Sequence, residues 1–196
     1  MKSMPILETE RLLIRPFIMD DLQDAYRLFD IELNHAAIYT ERYDSLADRA
    51  EWLQWAVLND RQLAMLNQPP YGDRAVILKS TGQLIGACGY VPCLSYFGQM
   101  PNLSEEVKPG LASTEFGLFY AISPAHQRRG YAVEAARAMI EYAFNILRLS
   151  RIVAETGYDN HASIAVMKKL GMQVAYNPYP EPLWLEVVGV IENPDQ

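Results

Sequence analysis

Residues 130–148 constrain the fold more than any other stretch of the chain. Ala132, Ala135, Ala136, Met139, Ile140, Ala143, Phe144 and Leu147 recur at the i, i+3, i+4, i+7 spacing of one helix face. Glu134, Arg137, Glu141 and Arg148 fall off that stripe, with Arg137 and Glu141 an i, i+4 pair. An apolar strand over residues 114–122 precedes the helix and is stopped by Ser123-Pro124. A strand that feeds a strong amphipathic helix through a short turn implies layers of helix on sheet.

The remaining segments fill in those layers. Residues 11–17 read as a first strand, with Pro16 at an edge or end. Asp20 and Asp21 open a helix with Leu22, Ala25, Tyr26 and Phe29 at helical spacing. Ser45 caps a second helix over 45–59, striped by Leu46, Ala50, Leu53 and Val57. Trp52 and Trp55 broaden that stripe and are assigned to the core, with a ligand contact as the alternative. Residues 74–79 and 84–91 form a hairpin around 80–83, and Gly86 and Gly89 mark a bulge or a close backbone approach. A strand follows at 151–156, then a short helix from Asn160 to Gly171 and a last strand over 184–191. The order β, α, α, β, β, β, α, β, α, β makes residues 1–196 one α+β (α/β layered) domain with a mixed sheet. Residues 92–113 resist assignment: they either cover a site, with Tyr96 and Phe97 as contacts, or form a surface insertion.

Composition narrows the function classes. The net charge is −7 and the basic residues are scattered, which argues against a nucleic-acid partner and mildly favours a cationic one. No apolar run reaches the ~18–20 residues of a membrane span, and the start lacks a signal-type apolar stretch. No membrane partner and a cytoplasmic location are the expectation. Cys88 and Cys93 are too few for a disulfide framework, and no neighbouring cue lowers either thiol. His126 and His161 lack companions at metal-ligand spacing, so no metal is expected.

The segment Ser123-Pro124-Ala125-His126-Gln127-Arg128-Arg129-Gly130-Tyr131-Ala132 carries the chemistry. It delivers the chain to a helix N-terminus, where unpaired N–H groups and the dipole favour an anion such as a pyrophosphate. Gly130 lets the backbone pass close, and Arg128 and Arg129 add charge. An ordinary strand-to-helix turn is the alternative. Neither G-x-x-x-x-G-K-[ST] nor G-x-G-x-x-G occurs, which argues against nucleotide hydrolases and Rossmann dehydrogenases.

Gln127-Arg128-Arg129-Gly130-Tyr131-Ala132 resembles the Q/R-x-x-G-x-G/A signature of the GNAT acetyltransferases. The run GYAVEAARAMIEYAF, the later Asn160-x-x-Ser163 with Lys168-Lys169-Leu170-Gly171-Met172, and the opening LETERLLIRPF resemble its ribosomal-protein N-acetyltransferase branch. The resemblance runs in order along nearly the whole chain. It implies a single domain with a mixed, mostly antiparallel sheet, helices on both faces, and fourth and fifth strands that splay apart. It implies acetyl-CoA as co-substrate. The backbone of Tyr120, Ala121 and Ile122 would pair with the pantetheine arm, and a backbone N–H there would polarise the thioester carbonyl. The backbone of Gln127, Arg128, Arg129, Gly130, Tyr131 and Ala132 would hold the pyrophosphate, and Asn160 the cofactor arm.

Ser163 is the candidate acid for the leaving thiolate; many members carry Tyr for this four residues later, where this chain has Met167. Glu115, at the start of the strand leading to the loop, is the first candidate for the base that frees the amine. Its alternative is a surface strand residue, since the branch's acid aligns nearer Gly117. Glu134 is read as structural, ordering the loop. The expected reaction is direct acetyl transfer in a ternary complex to a primary amine, on a protein N-terminus or a small molecule. The expected assembly is a monomer or homodimer. A coenzyme A-binding module without turnover is the competing class, and a different acyl group is a third reading.

Overall fold

Strand β2 (Leu12–Pro16) buries Leu12 and Ile14 completely, one face of a sheet. The computed structural model describes residues 4–34, 42–104, 106 and 108–195. Its contacts divide the chain into two units: Met1–Tyr90 with Phe119–Met139, and Val91–Leu118 with Ile140–Gln196. Some of the described elements are shared by both.

In the first unit, a short β1 (Leu7–Glu8) pairs with β2, and β2 pairs with β3 (Gly72–Leu78), both antiparallel. β3 and β4 (Gln83–Ser95) form the expected hairpin, with a register shift at Val76/Ile77. Both expected glycine approaches are present. A Cβ on Gly86 would stand 2.4 Å from the Ala121 carbonyl oxygen, and one on Gly89 would stand 2.2 Å from that of Gly72. The helix opened by Asp20 and Asp21 starts as a 3₁₀ turn (Met19–Asp21), becomes α1 (Leu22–Tyr26) and widens to a π-helix (Arg27–Leu33). Asp21 is drawn inward because its carboxylate takes both Nη1 and Nη2 of Arg15 at 2.7 Å. Ser45 caps α2 (Leu46–Met65), its hydroxyl accepting from the Asp48 N–H.

Ala25, Leu28, Phe29, Leu33 and Leu53 from these helices pack on Phe17, Ala75, Ile77, Leu84, Ala87 and Ala121. Trp52 joins them, with its ring 5.4 Å from Phe17 and 5.2 Å from Phe29. Trp55 does not: it is 56% exposed, because the apolar arc of α2 is narrower than its tryptophan content suggests. A buried ion pair crosses this layer. The Arg49 Nε and Nη2 donate to Asp30 at 2.7 Å each, and the guanidinium stacks over Phe29, Tyr43 and Trp52 at 4.5 to 4.9 Å.

In the second unit, β6 (Arg151–Thr156) pairs antiparallel with β8 (Val187–Glu192) along its whole length. β7 (Gln173–Tyr176), absent from the sequence reading, pairs with β8. β5 (Ser113–Ile122) meets β6 in parallel at Gly117↔Val153, a short pairing of the kind a splay requires. Trp184 lies outside the last strand, 70% exposed, since β8 begins only at Val187.

Residues 92–113 are corrected most. β4 continues to Ser95, and Phe97 and Met100 are buried in a core with Val153, Leu185, Val188 and Val190. Phe97 is therefore a core residue, not a site contact, and Tyr96 packs beside it. The Gln99 amide donates to Asn177 Oδ1 at 3.0 Å and to the Glu181 carbonyl at 2.7 Å. Asn102 donates to the carbonyls of Gln173 and Val188. The segment is a built part of the second unit.

The amphipathic helix is α3 (Tyr131–Asn145), shared between the units. α4 (His161–Leu170) begins at Asn160 and stops at Gly171, whose φ is +86°. No described helix is long and apolar enough to cross a membrane.

Candidate active site

The loop ahead of α3 is shaped by its own sequence. The Ser123 N–H donates to the Ile85 carbonyl at 2.8 Å and ends β5. Pro124–His126 make one 3₁₀ turn. The Gln127 side chain turns back and donates to the Ile122 carbonyl at 3.0 Å, so Gln127 braces the loop with its amide. Arg128 and Gly130 both take positive φ, +60° and +83°. The first intrahelical bond closes from the Glu134 N–H to the Gly130 carbonyl at 3.0 Å. Backbone N–H groups at the head of α3 thus precede the ladder, as an anion site requires. The Arg128 and Arg129 side chains are exposed.

Glu134 holds this loop in place. Its Oε1 accepts from the Thr9 hydroxyl at 2.6 Å and the Arg11 N–H at 2.9 Å, and its Oε2 accepts from Arg11 Nε at 2.7 Å. Arg11 in turn donates to the Arg129 carbonyl at 3.0 Å and stacks on Tyr131 at 4.5 Å. Burial alone would raise the Glu134 carboxyl; the bonds from Thr9 and Arg11 outweigh it and hold it below the usual range. The structural role read for Glu134 stands. Beside the loop opens a cavity of about 450 Å³, lined by Glu10, Arg11, Leu78, Lys79, Ser80 and Tyr131. Arg11 and Lys79 bring cations that the motif did not announce. The spacing of an N-terminal strand residue to a helix more than a hundred positions on gives no local signal.

Tyr120, Ala121 and Ile122 end β5 in this same unit, Tyr120 half-buried and the other two buried. Glu115, Asn160 and Ser163 belong to the second unit. Glu115 is enclosed on β5, with both carboxylate oxygens taken by Arg151; the Nε contact is 2.8 Å. The Asn160 Oδ1 accepts the Ser163 N–H at 3.0 Å, so the cap and the candidate acid are directly joined. Met167 is buried, its sulfur 3.0 Å from where a Cβ on Gly189 would lie, which makes that position core.

One acidic residue escaped the sequence reading. Glu155 on β6 is half-buried, and burial raises its carboxyl, with the Cys93 thiol pulling weakly the other way; that thiol donates to the Val91 carbonyl at 3.4 Å. Cys93 lies against Gly117, where a Cβ would stand 2.4 Å from its sulfur. Burial first, then Glu155, pushes the thiol up to about 12. Cys88 is fully buried and likewise neutral. Neither thiol has the lowered pKa of a nucleophile.

Residues 11–173 match the family model described as the acetyltransferase (GNAT) domain. The chain is 32% identical over 168 residues to the uncharacterized protein YkkB of Bacillus subtilis (strain 168), covering 85% of this chain and 84% of that one. It is 30% identical over 171 residues to the uncharacterized N-acetyltransferase YnaD of the same organism, covering 85% and 82%. Its fold is similar to the ribosomal-protein-S5-alanine acetyltransferase from Vibrio fischeri, at a TM-score of 0.67, 18% identity, and coverage of 97% and 98%. With the family model spanning most of its length, the chain belongs to the GNAT family of acetyl-CoA-dependent acetyltransferases.

Proposed function

We propose that the protein transfers an acetyl group from acetyl-CoA to a primary amine by direct attack in a ternary complex. The observation that carries this reading is the loop ahead of α3: two residues with positive φ, a helix N-terminus, and a Thr9–Arg11–Glu134 brace that fixes them. Backbone N–H groups from Gln127 to Ala132 take the pyrophosphate, beside Arg11 and Lys79, which are themselves paired to Glu134 and Glu8. The backbone of Tyr120 to Ile122 pairs with the pantetheine arm, and Asn160 contacts it.

In the transfer the amine nitrogen bonds to the thioester carbon, the C–S bond breaks, and the thiolate takes a proton from Ser163. Two carboxylates of the second unit stand for removal of the amine's proton. Glu115, singled out by the strand pattern, must release Arg151 to serve. Glu155 has no ion pair among the described residues and a carboxyl raised by burial, which suits a base better than a carboxylate held by a guanidinium.

Titration with acetyl-CoA and with CoA tests the reading. Saturable binding, with a stabilisation of roughly 2.7 kcal/mol at 100 times the dissociation constant, is expected. Folded protein that binds neither would overturn it. Binding without transfer to any of a broad set of amines would favour a coenzyme A-binding module.

A further inference from the structure

One side of α2 serves the first unit. Arg49 and Leu53 are buried there, and Trp52 and Val57 pack on the apolar layer. Asn59 donates to the Tyr71 carbonyl at 2.8 Å, and Asp60 pairs with Arg74 at 3.8 Å. The opposite side carries Glu51, Trp55, Leu58, Arg61 and Met65, all exposed, at steps of three and four residues. They form one stripe along the outer face of the helix, about four turns long.

A lone exposed apolar residue on a helix is ordinary. Here Trp55, Leu58 and Met65 are in register, exposed by 56%, 48% and 69%, and Gln54 and Gln62 beside them bring no charge. The stripe holds two charges, Glu51 near its start and Arg61 about three turns (~15 Å) further on. Among the described residues neither side chain has a hydrogen bond or an ion pair.

That spacing decides what covers the stripe. Take a second α2 running antiparallel across it, with the two-fold axis midway between Trp55 and Leu58. Trp55 then lies on Leu58 of the other copy, and Leu58 on its Trp55. The same axis sets Glu51 level with Arg61, to within one residue, at both ends of the contact. A parallel copy in register would set Glu51 on Glu51 and Arg61 on Arg61, like charges together. The stripe is complementary to its own reversed copy.

We infer that the outer face of α2 binds the same face of a second copy of this chain, antiparallel, with Trp55 and Leu58 at the centre and two Glu51–Arg61 pairs at the ends. The apolar centre supplies the attraction, and the charges fix direction and register. One helix from each copy is a small contact beside the ~1,600 Å² of a standard interface, so the dimer belongs to the weak, reversible class. The inference goes beyond the acetyl-transfer reading and does not depend on it.

Sedimentation equilibrium on the full chain tests it, over about 1 to 200 μM protein at low salt. The weight-average mass should climb from one chain toward two. Trp55→Glu, Glu51→Arg and Arg61→Glu should each raise the dimer dissociation constant about tenfold or more. All three sites are exposed, and circular dichroism checks that each variant is folded. The double variant Glu51→Arg/Arg61→Glu should return to within about threefold of the wild type. An equimolar mixture of the two single reversals should associate more tightly than either alone, because opposite charges then meet at both ends. A mass of one chain throughout, a dimer that keeps its dissociation constant in all three variants, or a mixture that associates no better than its components would overturn the inference.

Discussion

On the proposed reading, Gly130 is where a single side chain bears most directly on donor binding. A Cβ there would meet only Arg11, at 3.4 Å, so space is not the constraint; the φ of +83° is. A β-branched residue in that conformation costs about 1–2 kcal/mol or more. Gly130→Val should raise the acetyl-CoA dissociation constant at least tenfold by calorimetry, while the far-UV circular dichroism spectrum stays that of the native fold. The two candidate bases separate by their partners. Glu155→Gln should lower turnover a hundredfold or more near neutral pH with little change in acetyl-CoA affinity, and should flatten the acidic limb of the pH–rate profile. Glu115→Gln should act first on stability, because it leaves the Arg151 guanidinium half-buried beside a neutral amide. If Glu115→Gln instead flattens that limb and Glu155→Gln does not, the base is Glu115.

Among the elements, those with a strong local signature were legible beforehand. The α3 stripe as far as Phe144, the Ser45 and Asn160 caps, the Gly171 stop and the β6 boundaries all rest on neighbours within a few residues, and the structure has them where the pattern put them, although α3 ends at Asn145 and leaves Leu147 outside the helix. Segments held by distant partners were not legible. β7 has four residues and exists through its pairing with β8. Residues 92–113 look like loop because their order comes from Phe97 and Met100 in a remote core and from Gln99 reaching Asn177 and Glu181. The candidate residues divide in the same way: the α3 loop could be read from its motif, whereas Arg11, beside that loop, and Glu155, on β6, take their places through sheet pairing. Gln99→Ala tests the brace. It removes two bonds from a buried amide and leaves the Glu181 carbonyl short of a donor, while Asn177 Oδ1 keeps the Tyr179 N–H, at about 1–3 kcal/mol. The urea midpoint should fall with the m-value unchanged.

For the molecule as a whole, acidity acts in two opposed directions. The raised carboxyls, Asp73 and Glu155, bind protons more readily folded than unfolded, so their cost is full above the folded pKa and is relieved as pH falls through it. For Asp73, a rise to about 6 corresponds to a cost on the order of 3 kcal/mol at neutral pH. Glu134 works the other way: its lowered carboxyl contributes stability above its unfolded pKa, and that contribution is lost as pH falls through the folded value. The melting temperature should therefore rise from pH 7.5 to about 5.5 and drop again in stronger acid, and Asp73→Asn should blunt the rise. Calorimetric scans across that range check both. The Glu134 brace has a practical side as well. It makes Thr9 and Arg11 part of the α3 loop, so the segment ahead of β2 is effectively a wall of the loop proposed to hold acetyl-CoA. A bulky group fused upstream of Thr9 therefore starts only a few residues from that wall. Preparations with and without such a fusion should differ in their apparent affinity for acetyl-CoA.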